Sequence, residues 1–142
     1  MSGTCHLVSC VGMKLHRAAP ARDLYVSPWF RMARRYAETR GDIWFILSAE
    51  HGLVHPDKVL DPYDRTLLTM PVGARRAWAT LVEAQMRDVL PACIPVIVVL
   101  AGARYREFLG EPLSRHADRV EVPMQGLGIG KQLGWLKHAL AG

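Results

Sequence analysis

Several short stretches of this chain carry residue types suited to chemistry. In Ser9-Cys10-Val11-Gly12-Met13-Lys14 a thiol at the end of an apolar run precedes a lysine. A nearby ammonium lowers a thiol's pKa and favours the nucleophilic thiolate. No histidine or acid is obviously paired with Cys10, so Lys14 as a binder of an anion or carbonyl is the safer role. A small buried residue beside a solvated lysine is the plainest reading of the pair. In the stretch from Leu47 to Pro56, Ser48 and Ala49 follow a second apolar run and let a ligand approach the backbone. Glu50, His51 and His55 there offer acid, base or metal-ligating groups. Gly52 and Pro56 oppose the helix that would put both histidines on one face. Even with Cys10 and Asp64 these residues form no closed ligand set of recognised spacing, so no metal or other cofactor is expected.

Asp61-Pro62-Tyr63-Asp64-Arg65-Thr66 sets a carboxylate beside a tyrosine ring. Tyr63 can stack a flat heterocycle, and Asp64 can serve as base or charge stabiliser. The same letters also suit a turn begun by Asp61-Pro62, with Asp64 capping it or pairing with Arg65. Gly126-Leu127-Gly128-Ile129-Gly130-Lys131-Gln132 is glycine-rich and opens a helix, whose first N–H groups can bind an anion. Its spacing fits neither the Walker loop nor the dinucleotide fingerprint, and tight helix-to-sheet packing explains the glycines as well. Arg31, Arg34 and Arg35 interleave with Trp29 and Tyr36, a pattern able to touch a nucleic-acid backbone. One solvated and one buried face of a single helix is the better reading.

Elements must position these groups. His6 to Val11 reads as a strand, and Gly12 to Ser27, with Pro20, as a long loop. Ser27-Pro28 is a helix start, with a hydroxyl N-cap and proline at the first helical position. Trp29, Phe30, Met32, Ala33 and Tyr36 recur at helical spacing, and Gly41 ends that helix. Ile43 to Leu47 is a strand apolar on both faces, as in a sheet covered on both sides. Ser48 to Pro71, broken by Pro56, Pro62 and Pro71, reads as a long loop, of the kind that is functional or mobile. Val72 to Leu90 suits an amphipathic helix with Trp78, Leu81, Val82 and Met86 on one face. Val96 to Leu100 is the clearest buried strand, followed by Ala101-Gly102 and a short helix around Tyr105 to Leu109. Arg119 to Val122 alternates as a strand nearer an edge. A last helix runs through Leu133, Trp135, Leu136 and Leu140.

Strands separated by helices imply parallel pairing and right-handed crossovers. A single α/β domain over residues 1–142 is expected: a three-layer α/β/α sandwich on a short, mainly parallel four-stranded sheet. Ligands then bind beyond the carboxyl ends of the strands. Ser9 to Lys14, Ser48 to Leu53, Ala101 to Tyr105 and Pro123 to Gly130 should converge there.

Composition narrows the class. Of 142 residues, 50% are hydrophobic and 22% charged, a globular balance rather than a disordered one. Lys and Arg number 18 against 13 Asp and Glu, giving a formal +5 that favours anionic partners, nucleic acid first. Three cysteines, Cys5, Cys10 and Cys93, have no paired spacing, which argues against a disulfide framework and for a reducing compartment. Met1 to Cys5 lack the regions of a signal peptide, and no apolar run approaches the roughly 20 residues of a membrane helix. A cytoplasmic protein with no membrane partner is expected.

These segments together resemble a family of small bacterial domains of unassigned function. The pattern reads as Val8-Ser9-Cys10 with Lys14, Leu24-Tyr25 within Ala21 to Ser27, and Leu47-Ser48-Ala49 with Gly52-Leu53. It continues as Pro62-Tyr63-Asp64, Ala101-Gly102 with Tyr105, and Gly126 to Gly130, covering nearly the whole chain. Cys10 with Lys14 is also similar to the Cys-x3-Lys motif of the lysine-transfer domain of archaeosine synthase, which handles a 7-deazaguanine base in transfer RNA. The proline-tyrosine after that motif's lysine is replaced here by Leu15-His16, so the transfer reaction does not carry over. Both groups resemble the uracil-DNA glycosylase superfamily in layout, although the Gly-x-Asp-Pro-Tyr-type run after strand one is absent.

The resemblance implies nucleobase chemistry on a uracil-DNA glycosylase-like fold. The expected activity is hydrolysis of an N-glycosidic bond to a modified base, in DNA more than RNA, or in a nucleotide. Asp64 would position water or stabilise charge, Ser48 would bond to the base edge, Lys14 would hold a phosphate, and Cys10 completes the candidate catalytic set. The base would stack on Tyr63 or Tyr25, with Ser9, Ala49, His51 and Gly52 around it. Gly102, Tyr105, Gly126 and Gly128 are the remaining candidate binding residues. A non-catalytic binding module for a modified base or nucleotide, and a base-modifying transferase built on the Cys10 thiol, are the alternatives.

Overall fold

The computed structural model describes residues 3–10, 12–41 and 43–142. Strand β1 (Thr4–Ser9) is buried from its second residue onward, starts earlier than its apolar run suggests and ends before Cys10. Val11, expected in that strand, lies outside the described residues. The following loop contains two small elements, strand β2 (Ala19–Pro20) and the one-turn helix α1 (Ala21–Leu24). Ser27 then caps helix α2 (Pro28–Arg40): its Oγ accepts the Phe30 N–H at 3.2 Å, and Pro28 occupies the first turn. Gly41 closes α2 with its N–H on the Ala37 carbonyl, but at φ −123° it is extended rather than left-handed. It answers a different need: a Cβ there would sit 2.4 Å from His6 Nδ1.

Strand β3 (Ile43–Ser48) follows and is buried over its last four residues. Gly52, at φ +77°, then reverses the chain into a further strand, β4 (Gly52–Val54), whose Leu53 and Val54 pair back onto Leu47 and Ile46. Four strands were expected and the main sheet has five. The fifth is too short to show a hydrophobic period, and a left-handed glycine turn makes it. Beyond it lie β5 (Val59–Leu60), which pairs with β2, and a 3-10 turn at Leu67–Thr69. The stretch from Ser48 to Pro71 is therefore built from small ordered pieces rather than open loop.

Helix α3 (Val72–Val89) buries Trp78, Val82 and Met86 as its pattern suggests, but Ala79 takes the place expected of Leu81, which is exposed. Strand β6 (Ile94–Leu100) starts two residues before its expected apolar run. The short helix expected around Tyr105 is two: α4 (Ala103–Arg106) and α5 (Gly110–His116). Strand β7 (Ala117–Glu121) and helix α6 (Ile129–Ala141) complete the chain.

The main sheet runs β4-β3-β1-β6-β7, with only β4 antiparallel to its neighbour. Helix α2 carries the chain from β1 to β3, while α3, α4 and α5 carry it the opposite way to β6 and β7. Right-handed crossovers in opposite directions put helices on opposite faces. Accordingly α2 packs with α6 and against β1, while α3 packs on β4 and α5 on β7, giving three layers. Leu7, Ile46, Ile97 and Leu100 of the sheet and Phe30, Val82, Met86 and Leu136 of the helices are fully buried in one core. Each such side chain contributes about 1.5–3 kcal/mol by leaving water. The connections diverge between the adjacent strands β1 and β6, and the crevice beyond their carboxyl ends is where open α/β sheets hold ligands.

Candidate functional site

Backbone at the end of β1 is tied sideways to β3 by the Cys10 N–H, which donates to the Leu47 carbonyl at 3.0 Å. This bond brings the chain after β1 beside Ser48. On the other side, Cys10 Sγ lies 3.4 Å from Tyr105 Oη, joining the end of β1 to the segment after β6. The cavity between these strands measures about 360 Å3 and is walled by Ser9, Cys10, Trp29, Thr66, Tyr105 and Gln132. Gly102, Arg104 and Ile129 border it as well. Three of the four segments expected to converge therefore line one space; the fourth, Ser48 to Leu53, lies behind it.

A part-buried hydroxyl chain forms that backing. Tyr63 Oη stands 2.6 Å from Tyr25 Oη and 2.7 Å from Ser48 Oγ, and Ser48 Oγ also accepts the His51 N–H at 3.1 Å. Lys14 and Tyr25 are bridged through their backbones, which hangs the Lys14 ammonium 4.5 Å from the Tyr63 ring centre and 5.7 Å from that of Tyr25. His51 meets the Tyr63 ring edge-on at 5.5 Å. Burial pushes the Tyr25 phenol up to about 12, with Cys10 beside it adding to the rise. Tyr63 and Tyr105 are raised further for the same reasons, so all three phenols keep their protons at neutral pH.

These contacts revise several roles. Ser48 is wholly buried, its Oγ engaged by Tyr63 and His51 and its carbonyl by Trp78 Nε1 at 2.8 Å. It cannot reach a base edge; it positions Tyr63. Tyr25 is 1% exposed and offers no face for stacking. Lys14 rests over the Tyr63 ring rather than beside the cavity. Ala49 and Gly52 are buried, and a Cβ at Gly52 would lie 2.3 Å from Gln85 Oε1. Asp64 is exposed and its carboxylate has no hydrogen bond or ion pair among the described residues, two positions before Thr66 of the cavity wall. Ser9, Cys10, Gly102 and Tyr105 line the cavity. Gly126, at φ +84°, and Gly128 are exposed at the entry to α6.

Other residues were not singled out as candidates. Gln85 accepts the Leu53 N–H at 2.6 Å and donates to the His51 carbonyl at 3.0 Å, holding the turn between β3 and β4. Its signal was a polar residue beside Val82 and Met86 on an otherwise apolar face. Trp29 Nε1 donates to Gln132 Oε1, and Gln132 Nε2 to the Leu127 carbonyl, both at 2.8 Å. Thr66 and Arg104 line the cavity without any sequence signal that marks them as binding residues. Among the described residues, no group of three or more His, Cys, Asp or Glu side chains could hold a metal ion. No helix of the described chain is long and apolar enough to cross a membrane.

Fold and site together define a small three-layer α/β sandwich with a cavity at the point where its sheet connections diverge. The chain belongs to the DUF6884 family of unknown function, which it matches over residues 5–138. It is 33% identical over 122 residues to the uncharacterized protein YfjM of Bacillus subtilis strain 168, covering 84% of this chain and 79% of that protein. No solved structure matches the chain.

Proposed function

We propose that the domain processes nucleobases, hydrolysing an N-glycosidic bond with the base held between β1 and β6. The observation carrying this reading is the cavity itself: its volume of about 360 Å3 suits a small heterocycle, and Trp29 and Tyr105 contribute aromatic walls beside polar Ser9, Thr66 and Gln132. Water would attack the sugar's anomeric carbon, the carbon–nitrogen bond would break, and the base would leave with the bonding electrons and a proton. Asp64, exposed two positions before Thr66 of the wall and without a hydrogen bond or ion pair among the described residues, would turn toward the cavity to accept the water's proton or stabilise the cationic sugar. The formal +5 charge supports nucleic acid as the source of the base, which duplex would yield only by flipping it at a cost of a few kcal/mol. Base release from modified DNA, RNA and nucleosides tests the reading. Asp64→Asn should lose that release while retaining binding; full activity in the variant removes Asp64 from the mechanism.

A second reading is favoured by one contact. Cys10 borders the cavity and its sulfur meets Tyr105 Oη, as a thiol acting on a bound base would require. Activity lost in Cys10→Ser with binding intact selects this reading, and unchanged activity rejects it.

A further inference from the structure

The α6 side of the cavity has features that a neutral base does not use. Gly128 and Ile129 begin a helix of 13 residues that has no side-chain cap and no acidic residue in its first turn. The first intrahelical bond runs from the Gln132 N–H to the Gly128 carbonyl, so the N–H groups of Ile129, Gly130 and Lys131 precede it. Such groups carry the positive end of the helix dipole and bind anions. Ile129 and Gln132 border the cavity, and the bonds from Trp29 to Gln132 and from Gln132 to Leu127 fix the helix entry against its wall.

Independent evidence comes from the strand side. Ser9 lines the same cavity, is wholly buried, and its Oγ has no hydrogen-bond partner among the described residues. A buried hydroxyl left unpaired costs free energy unless a ligand satisfies it. Among the described residues the lining contains one formally charged side chain, Arg104, whose ion pair with Glu107 is long at 3.6 Å. No carboxylate among the described residues lines the space. Exposed Lys131 adds a second positive charge in the first turn of α6.

We infer that this part of the cavity is a phosphate subsite, in which the first N–H groups of α6, the Arg104 guanidinium and the Ser9 hydroxyl take the phosphoryl group of a nucleotide. The inference rests on the nucleobase reading above and narrows its substrate to a phosphorylated nucleoside, free or at a strand position. Lys14, parked on the Tyr63 ring, is not the phosphate anchor.

Calorimetric titration of the full chain with nucleosides, their 5′-monophosphates, inorganic phosphate and short single strands tests it. The monophosphate should bind at least about tenfold more tightly than its nucleoside, the effect of hydrogen bonds to a charged group. Gly128→Asp supplies a capping carboxylate at a position where a Cβ meets nothing within 4 Å, so it should raise the melting temperature. The same carboxylate should collapse the nucleotide-to-nucleoside preference toward one. Arg104→Gln should reduce that preference in part. A strand that binds while the monophosphate does not, with Gly128→Asp abolishing the binding, places the phosphate in a polymer. Nucleoside binding without any gain from the phosphate overturns the subsite and leaves the base reading standing. Inorganic phosphate that binds in wild type but not in Gly128→Asp, with no nucleoside binding, keeps the subsite and overturns the base reading. No binding of any probe overturns both.

Discussion

At the amino end of β1, Cys5 borders an apolar cavity of about 400 Å3 walled also by Ile43, Cys93, Ile94 and Pro95. Beyond the carboxyl end, Cys10 borders the similar volume between Ser9, Thr66, Tyr105 and Gln132. Cys5 is wholly buried and its thiol is pushed up to about 12 by desolvation, so it stays protonated and serves as a small apolar residue. Cys10 touches a phenol and an open space. The two cysteines stand on the same strand and differ through what the chain does next. Parallel strands deliver their following loops to one end of the sheet, and there the polar side chains gather; the opposite end receives apolar strand starts.

Substitutions at the two ends should therefore separate activity from stability. The largest effect belongs to Asp64→Asn, which should slow base release by about a hundredfold or more, the lower range for a lost general base. Gly102→Leu comes next. A Cβ at Gly102 meets nothing within 4 Å, so the larger side chain folds without strain yet occupies the cavity's border. It should weaken nucleoside binding by roughly tenfold or more, the usual cost of overpacking, with little change in melting temperature. Tyr63→Phe removes the hydroxyl joining Tyr25 to Ser48 and should lower unfolding stability by about 1–3 kcal/mol in urea titrations.

His6, inside the amino half of β1, gives the pH test. Burial, then the charge of Arg40, lowers its pKa to about 4, against a weaker opposite pull from Glu121. The unfolded chain thus binds the proton more readily than the folded one. The neutral ring's stability is fully present above about pH 6.5 and is lost as the pH falls toward 4. His6→Leu should flatten that part of the stability-against-pH curve; an unchanged slope assigns the acid sensitivity elsewhere. The smallest effect is expected from Cys5→Ala, which should leave base release unaltered and shift only the melting temperature.

Much of this architecture was legible because it rests on local pattern. Ser27-Pro28 marks the start of α2 and Ile43 to Leu47 shows a doubly covered strand, since capping and burial leave their mark in neighbouring residues. Strand β4 was hidden because three residues carry no period and its pairing depends on the backbone of Gly52. The site divided along similar lines. Ser9, Cys10, Gly102 and Tyr105 stand at or after strand ends and line the cavity. The roles of Ser48, Tyr25 and Lys14 were misplaced because their partner, Tyr63, arrives from a distant segment and claims them. Spacing in a sequence places a residue near a site but does not reveal which neighbour has already taken its hydrogen bond.

A base bound between β1 and β6 would cover Cys10 on the cavity wall, so the thiol reports on occupancy directly. Alkylation of Cys10 should be followed by mass spectrometry in a Cys93→Ser background, across a series of nucleoside and nucleotide concentrations. Saturable slowing of Cys10 labelling, matching the binding constant measured by calorimetry, is the expected result. A nucleoside that binds yet leaves the labelling rate of Cys10 unchanged would contradict it.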